Sequence, residues 1–468
     1  MRKLNSVERA WCLIGQRGSA NAVRSFRVHG RLTPHLMDQA LEGVLKVYPV
    51  LRCRVVLQGS QLVFRDAPEA PPRVVAIAHA LPPDSRSELL QRVEDLLNNP
   101  IDPENEPLLQ IVHAPISEIE HWILVNFHHA ISDGSTKIAF MACFLRLCDA
   151  ALGSRECFDE LVAVEQMKGN LSPSLTDRIG SSGLAYRSAA LLRFFGRRML
   201  QEARFRALAP GLERGQSASK HLARCRVFES VYDAVFVERL RNHARAWGLT
   251  VNSVVSAAML KAVKQEIFPL RSRANVSCIT FVNLRKRCLP PVPPEAIGCY
   301  ISAAFSFHAM TDQLFLVELA RDLERQLSEA SKDDVIAQAT AADWMTRTLF
   351  ALGRTTAATL SVSNIGQVGP QLRSKNFFVS EVHVHSALSG VGSTVSVGLT
   401  STERCLSLDM TYLEGVVSHD VIQRLAEFVR LELERFLQTP PVVGLDDVDP
   451  WAGMSKPKNK KGDVEFRV

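Results

Sequence analysis

Apolar positions after Thr33-Pro34 recur at three- and four-residue intervals, as Met37, Ala40, Leu41, Val44, Leu45 and Tyr48. That spacing predicts an amphipathic helix opened by the proline. Upstream, Asn5 with Glu8 three residues on forms a capping-box signature for a first helix, and Val23 to His29 reads as a strand. Downstream come hairpin strands at Cys53 to Leu57 and Gln61 to Arg65 around Gly59-Ser60, a helix at Ser87 to Leu97, and strands at Leu108 to His113 and His121 to Phe127. STKIAFMACFLRLCDAAL then reads as a buried helix.

The pattern breaks from about Gly153 to Ser219, where Ser, Gly and Pro interruptions precede a basic piece, RSAALLRFFGRRMLQEARFRAL. We read it as a linker and bridging helix. Regular alternation resumes with a strand at Arg224 to Ser230, a helix at Val235 to Trp247, and the apolar helix TVNSVVSAAMLKAVKQEIF, capped at Thr250 or Asn252. Strands are expected at Val276 to Asn283, Cys299 to Phe307, Thr359 to Ser363, Asn376 to His383, Thr394 to Leu399 and Cys405 to Thr411, with a last helix ending near Leu437. Strands and helices mixed in both halves indicate an α/β fold. The expected division is 1–152 for a first lobe, 153–219 for the linker and bridging helix, 220–438 for a second lobe, and 439–468 for a basic, flexible tail.

Composition narrows the class. Across 468 residues, 46% are hydrophobic and 22% charged, as in globular proteins. The net charge of +6 is too small to indicate nucleic acid, though a local basic patch could still meet an acidic partner. No window approaches the roughly 18 apolar residues that span a bilayer. The N-terminus reaches Glu8 and Arg9 before any apolar run, unlike a secretory signal. Ten scattered cysteines without CxxC spacing fit reduced thiols and a cytoplasmic location.

The candidate chemistry lies in FHHAISDG, Phe127 to Gly134, at the end of a strand. Neighbouring strand residues face opposite sides, so His128 and His129 diverge, and a metal site lacks convergent ligands. No metal is expected. A histidine at a strand end suits general-base work because its ordinary pKa of about 6.5 lies near working pH. Asp133 can cap the next helix or pair with an arginine, and Gly134 lets the backbone pass close to a substrate. No GxSxG elbow is present. His383 and His385 share one face of an expected strand, where a metal is less expected than ordinary hydrogen-bonded histidines.

His128, His129, Asp133 and Gly134 match the HHxxxDG motif, and on this ground the chain resembles the acyltransferase superfamily of peptide-synthetase condensation domains, plant-type alcohol acyltransferases and chloramphenicol acetyltransferase. The N-terminal LNSVERAW and TPHLMDQALEGVLKVYPVLRCRV, the helix TVNSVVSAAMLKAV, and FVNLRKRCLPPVPPEAIGCYISAA extend the likeness, the last toward phthiocerol dimycocerosyl transferase-type acyltransferases. The resemblance implies two chloramphenicol-acetyltransferase-like lobes in a V with a central active-site tunnel. It implies His129 as the catalytic base, His128 as its structural neighbour, and Asp133 paired with Arg285 of the second lobe. Plant-type members carry DFGWG where this chain reads SVSNIGQVG. The Asp and Trp are missing, and Asn364 and Gly366 are candidates to keep that site loop as a turn.

The implied activity is O-acyl transfer from a thioester, coenzyme A or a phosphopantetheine arm, to an alcohol, with no permanently bound cofactor and with the oxyanion held by N–H groups near Gly134. The alternatives are amide formation with an amine acceptor, and a catalytically silent homologue that binds a carrier protein. Arg197 and Arg198 in the basic piece are candidates for docking the donor, including an acyl carrier protein. A monomer is expected. Acyl and acceptor identity are not legible.

Overall fold

The computed structural model describes residues 2–77, 80–82, 86–168, 175, 191–201, 223–330, 334–352, 356–388 and 392–441. Two sheets organise them. Strands β2 (Asn21–His29), β5 (Val74–Ala76), β6 (Leu109–Pro115), β7 (Glu120–His128) and β12 (Phe378–Ser386) form one, in the order β12-β2-β7-β6-β5. Its pairs are antiparallel except β5 with β6. The second contains β8 (Cys225–Asp233), β9 (Arg273–Asn283), β10 (Ile301–Thr311), β11 (Thr356–Gln367), β13 (Gly392–Ser401) and β14 (Cys405–Leu413), in the order β10-β9-β11-β13-β14-β8. A small third sheet joins β1 (Arg2–Lys3), β3 (Cys53–Gln58) and β4 (Gln61–Asp66). Strands and helices are mixed in both lobes, an α/β architecture.

Helices cover each sheet with the faces their periodicity supplies. Helix α1 (Ser6–Gln16) starts at the Asn5–Glu8 capping box, complete in both directions. Helix α2 (Pro34–Val47) is capped by Thr33 and, with α4 (Gly134–Ala151), packs Ala40, Val44, Phe140, Phe144 and Leu147 onto Phe26, Val28, Ile123, Val125 and Phe127. Each of these side chains larger than alanine contributes about 1.5–3 kcal/mol when fully buried. Helix α3 (Arg86–Asn98) covers the opposite face with Leu89, Val93 and Leu97. Helix α5 (Arg155–Lys168) also belongs to this lobe, because Phe158 and Val162 enter the same core. The expected boundary at 152 is therefore too early: the Gly153-Ser154 break misled, and only a short turn separates α4 from α5.

Residues 191–201 form a helix, α6. In the second lobe, α7 (Ala234–Ala246), α8 (Val251–Ile267), α9 (Leu316–Ala330) and α11 (His419–Gln438) bury their apolar faces on the six-stranded sheet, while α10 (Asp334–Ala351) runs against α1. Thr250 caps α8 through its contact with the Ser253 N–H. Among the described residues no single helix is long and apolar enough to cross a membrane. The tail beyond 441 lies outside the described residues.

One strand changes sides. Asn376 to His383 was expected in the second lobe, yet β12 hydrogen-bonds to β2 of the first sheet. Its alternation fits either sheet, and only long-range pairing decides. The second lobe meets it at Gly398, where an added Cβ would stand 2.5 Å from the Val384 carbonyl oxygen. A side chain there would force the sheets apart.

Candidate active site

The motif is built where β7 ends. Residues 129–131 form a single 3-10 turn, and Asp133 then caps α4, accepting the Thr136 N–H at 2.8 Å. His128 is fully buried against α1: its Nδ1 accepts the Ala130 N–H at 3.2 Å, and a Cβ on Gly15 would lie 3.2 Å from its Nε2. His129 points the other way and keeps partial exposure. Its ring stacks on Trp11 of α1, centroids 4.1 Å apart and planes 12° off parallel. Its Nδ1 lies 3.1 Å from the Ser132 carbonyl oxygen. A carbonyl can only accept, so Nδ1 carries the proton and Nε2 holds the free lone pair.

Burial pushes the His129 pKa down to about 3, and the nearby positive charge of Lys137 adds to the effect. His128 falls to about 4 through burial. Both rings are therefore neutral at working pH. Lys137, one turn into α4, is buried with its Nζ donating to Ser132 Oγ at 3.1 Å and 5.4 Å from the Phe127 ring centre. Burial, then the charge of Arg24, lowers it to about 7. Ser132 thus holds both groups, the imidazole by its carbonyl and the ammonium by its hydroxyl. Lys137 was missed in the sequence because its i+4 spacing from Asp133 looks like an ordinary helix face.

Asp133 and Arg285 meet across the lobes. Both are buried, at 1% and 3% exposure, and Arg285 Nη1 contacts Asp133 Oδ2. That oxygen also accepts the Tyr300 N–H at 3.0 Å, while Arg285 Nη2 donates to the Ala296 carbonyl at 2.8 Å. Burial opposes ionisation of Asp133, but the Arg285 charge and the hydrogen bonds prevail and hold its carboxyl below the usual range. Thr136 Oγ1 completes the clasp by donating to the Gly298 carbonyl at 2.8 Å. Asp133 is thus engaged with the second lobe and with α4.

The second-lobe segment also reaches Gly134, though by a residue the sequence did not single out. A methyl added at Gly134 would fall 2.4 Å from Ile365 Cδ1. Asn364 and Gly366 flank that isoleucine within β11, where the register shifts, so the segment is a bulged strand and not a turn. Asn364 Oδ1 accepts the Gly366 N–H at 2.8 Å and Gly366 takes a φ of +79°, which glycine adopts without strain. The bulge aims Ile365 at the motif.

Arg197 and Arg198 of α6 were expected to meet a donor, but the chain supplies partners for both. Arg197 pairs with Asp334 at 2.6 Å, and the Arg198 guanidinium lies 3.6 Å from the Phe305 ring centre. His383 and His385, also singled out, lie at the lobe seam and not beside His129. His383 Nδ1 lies 2.7 Å from Asp409 and its Nε2 2.6 Å from Glu381; His385 Nε2 lies 2.9 Å from Glu229. Burial disfavours the charged form of His383, yet Glu229 and Asp409 outweigh it and raise the pKa to about 10. Ligand atoms of Glu229, His385 and Asp409 lie within 4.8 Å of one another, already engaged in this network with Arg86. A cavity of about 1000 Å³ follows the face of α1 that carries Ser6, Arg9, Leu13 and Gln16, opposite to Trp11.

Comparison with known proteins divides along the lobes. Residues 15–158 match the condensation-domain family model, and residues 233–402 match that of the phthiocerol/phthiodiolone dimycocerosyl transferase C-terminus. Bacitracin synthase 1 of Bacillus licheniformis is 27% identical over 143 residues, 29% of this chain and 3% of the synthetase, so the chain spans a small part of that relative. Among solved structures, the trichothecene 15-O-acetyltransferase TRI3 of Fusarium sporotrichioides superposes with a TM-score of 0.71 at 12% identity, covering 93% of this chain and 95% of that one. Polyketide synthase associated protein 5 of Mycobacterium tuberculosis gives 0.62 at 15% identity, covering 94% and 98%. The first condensation domain of the calcium-dependent antibiotic synthetase gives 0.65 at 18%, covering 96% and 99%. These likenesses, all below 25% identity, concern the fold. Over residues 15–158 the chain is thus similar to condensation domains, and over residues 233–402 to the C-terminal part of phthiocerol/phthiodiolone dimycocerosyl transferases.

Proposed function

We propose that the protein transfers an acyl group from a thioester to an alcohol, with His129 as general base. The observation that carries this reading is the free Nε2 of His129, whose ring Trp11 and Ser132 fix in one orientation and one tautomer. Nε2 takes the hydroxyl proton as the acceptor oxygen bonds to the acyl carbon. The tetrahedral intermediate collapses with cleavage of the carbon–sulfur bond, and the thiolate recovers the proton from the imidazolium. A thiolate leaves readily enough that no acyl-enzyme is required, so one base suffices. The first N–H groups of α4, at Gly134, have no partners within their own helix and suit the oxyanion. His128, Asp133 and Arg285 act by position: His128 seats α1 behind the site, and the ion pair fixes the start of α4 against the second lobe.

The donor is acyl-coenzyme A or a carrier-bound phosphopantetheine thioester, and the acceptor is a small molecule. An amine acceptor is the second reading, favoured by the condensation-domain match over residues 15–158. Thioester consumption measured with alcohols and amines side by side separates the two. Ester formation supports the first reading, amide formation alone supports the second, and no consumption with either acceptor class leaves a binding homologue.

A further inference from the structure

Arg24 is among the largest fully buried side chains of the described residues, at 1% exposure, and its Nε and Nη1 have no hydrogen-bond partner among them. It projects from the middle of β2, where it pairs with Val125 on one side and Val384 on the other. That register puts it on the sheet face shared with Phe26 and Phe127, the face that α4 covers. Its Nη2 lies 3.9 Å from the position a Gly134 Cβ would take. The guanidinium therefore stands at the head of α4, beside the bulge that carries Ile365 and near the lobe seam.

A buried cation without a partner is costly, and the acids nearest Arg24 are already committed. Asp133 serves Arg285 and the Tyr300 N–H, and Asp409 serves His383 and the Val384 N–H. Lys137 adds a second cation to the same side, and the N-terminus of α4 adds the positive end of a helix dipole. Three sources of positive potential thus converge, and the two acids that act on Arg24, Asp133 and Asp409, are each shared with another cation. An anion here would also offset the Lys137 charge that helps to hold His129 below its ordinary pKa.

We propose that this site takes a substrate bearing a carboxylate, which Arg24 binds at the head of α4 within reach of the reacting centre. The inference rests on the acyl-transfer reading and extends it to a substrate class. Guanidinium and carboxylate make the strong charge-assisted pairing that the empty donors of Arg24 call for. The carboxylate belongs either to the acceptor, as in a hydroxy acid, or to a dicarboxylic acyl chain.

The test uses two matched pairs with the full-length enzyme: 3-hydroxybutanoate against 3-hydroxybutanamide as acceptors, and succinyl- against butyryl-coenzyme A as donors. The carboxylated member of one pair is expected to be preferred roughly 10- to 100-fold in kcat/KM, the range of charge-assisted hydrogen bonds. Which pair shows the preference identifies the source of the carboxylate. Arg24→Gln should abolish the preference through KM, and Arg24→Lys should restore part of it. No preference in either pair overturns the proposal. So does an equal loss of kcat on charged and neutral members, which would make Arg24 an oxyanion donor. Calorimetry on the wild-type protein decides the case if the variants fail to fold: binding of succinate or 3-hydroxybutanoate over the amides supports the site, and equal binding overturns it. Carboxylate binding without turnover of any pair would count against the acyl-transfer reading and leave the carboxylate site standing.

Discussion

Two groups of histidines lie at the junction of the lobes, and their surroundings drive them in opposite directions. His383 is enclosed by Glu229, Glu381 and Asp409, and its pKa rises to about 10. His129 has a tryptophan, one carbonyl and a lysine, and its pKa falls to about 3. Burial opposes charge in both cases, and the number of nearby carboxylates decides the outcome. The first arrangement is a clasp between β12 and the second sheet whose imidazole is charged at neutral pH. The second keeps an imidazole neutral with one nitrogen open. A histidine held by acids has no lone pair to offer, whereas one short of partners does.

The comparison can be broken at its ion pairs. Asp133→Asn leaves the Arg285 charge buried and uncompensated, a loss of the order of 3–5 kcal/mol, to be read by denaturant unfolding. Near-native stability would show that the pair does not clasp the lobes. At the other junction, the raised pKa of His383 means that its charged form contributes stability fully below about 6.5 and loses that contribution as pH rises through about 10. The melting temperature should therefore fall progressively over that window, and Glu229→Gln should move the fall to lower pH by removing the main charge that raises the pKa. A melting temperature flat from pH 6.5 to 10 would return His383 to an ordinary neutral role.

Smaller effects sharpen the picture. Gly134→Ala drives a methyl into Ile365 and should cost about 1–3 kcal/mol as overpacking, with Ile365→Ala in the same chain recovering most of it. Additive losses in the double variant would contradict the contact. The smallest effect is expected at α6. Arg197→Glu breaks a half-exposed pair with Asp334, worth about 0–1 kcal/mol. Because both α6 arginines have partners within the chain, reversing Arg197 and Arg198 should not separate carrier-bound from coenzyme A-bound donors. A selective loss with the carrier substrate, measured by initial rates at two salt concentrations, would restore a docking role.

What the sequence made legible was local. The Asn5–Glu8 box, the Pro34 start, the Gly59-Ser60 hairpin and the α8 cap at Thr250 each rest on residues a few positions apart, and each appears in the structure. HHxxxDG and the surrounding likeness led to the superfamily and to Arg285, 152 residues from Asp133. What remained hidden depends on pairing across the chain. Strand β12 alternates equally well for either sheet, and its partner β2 lies more than 300 residues away. Nothing in the sequence singles out Arg24, because burial without a partner leaves no mark in composition. Ile365 stood between two residues chosen for their turn chemistry, and only the bulge shows which one reaches the motif.

The most direct test of the central claim compares ester formation from an acyl thioester and an alcohol by the wild-type protein and by His129→Ala, with a melting curve on each sample. Removal of the base should lower kcat/KM by about 10²- to 10⁴-fold and leave the melting temperature within a few degrees, because the His129 side chain makes one hydrogen bond and one ring contact among the described residues. Undiminished ester formation by His129→Ala would contradict the account.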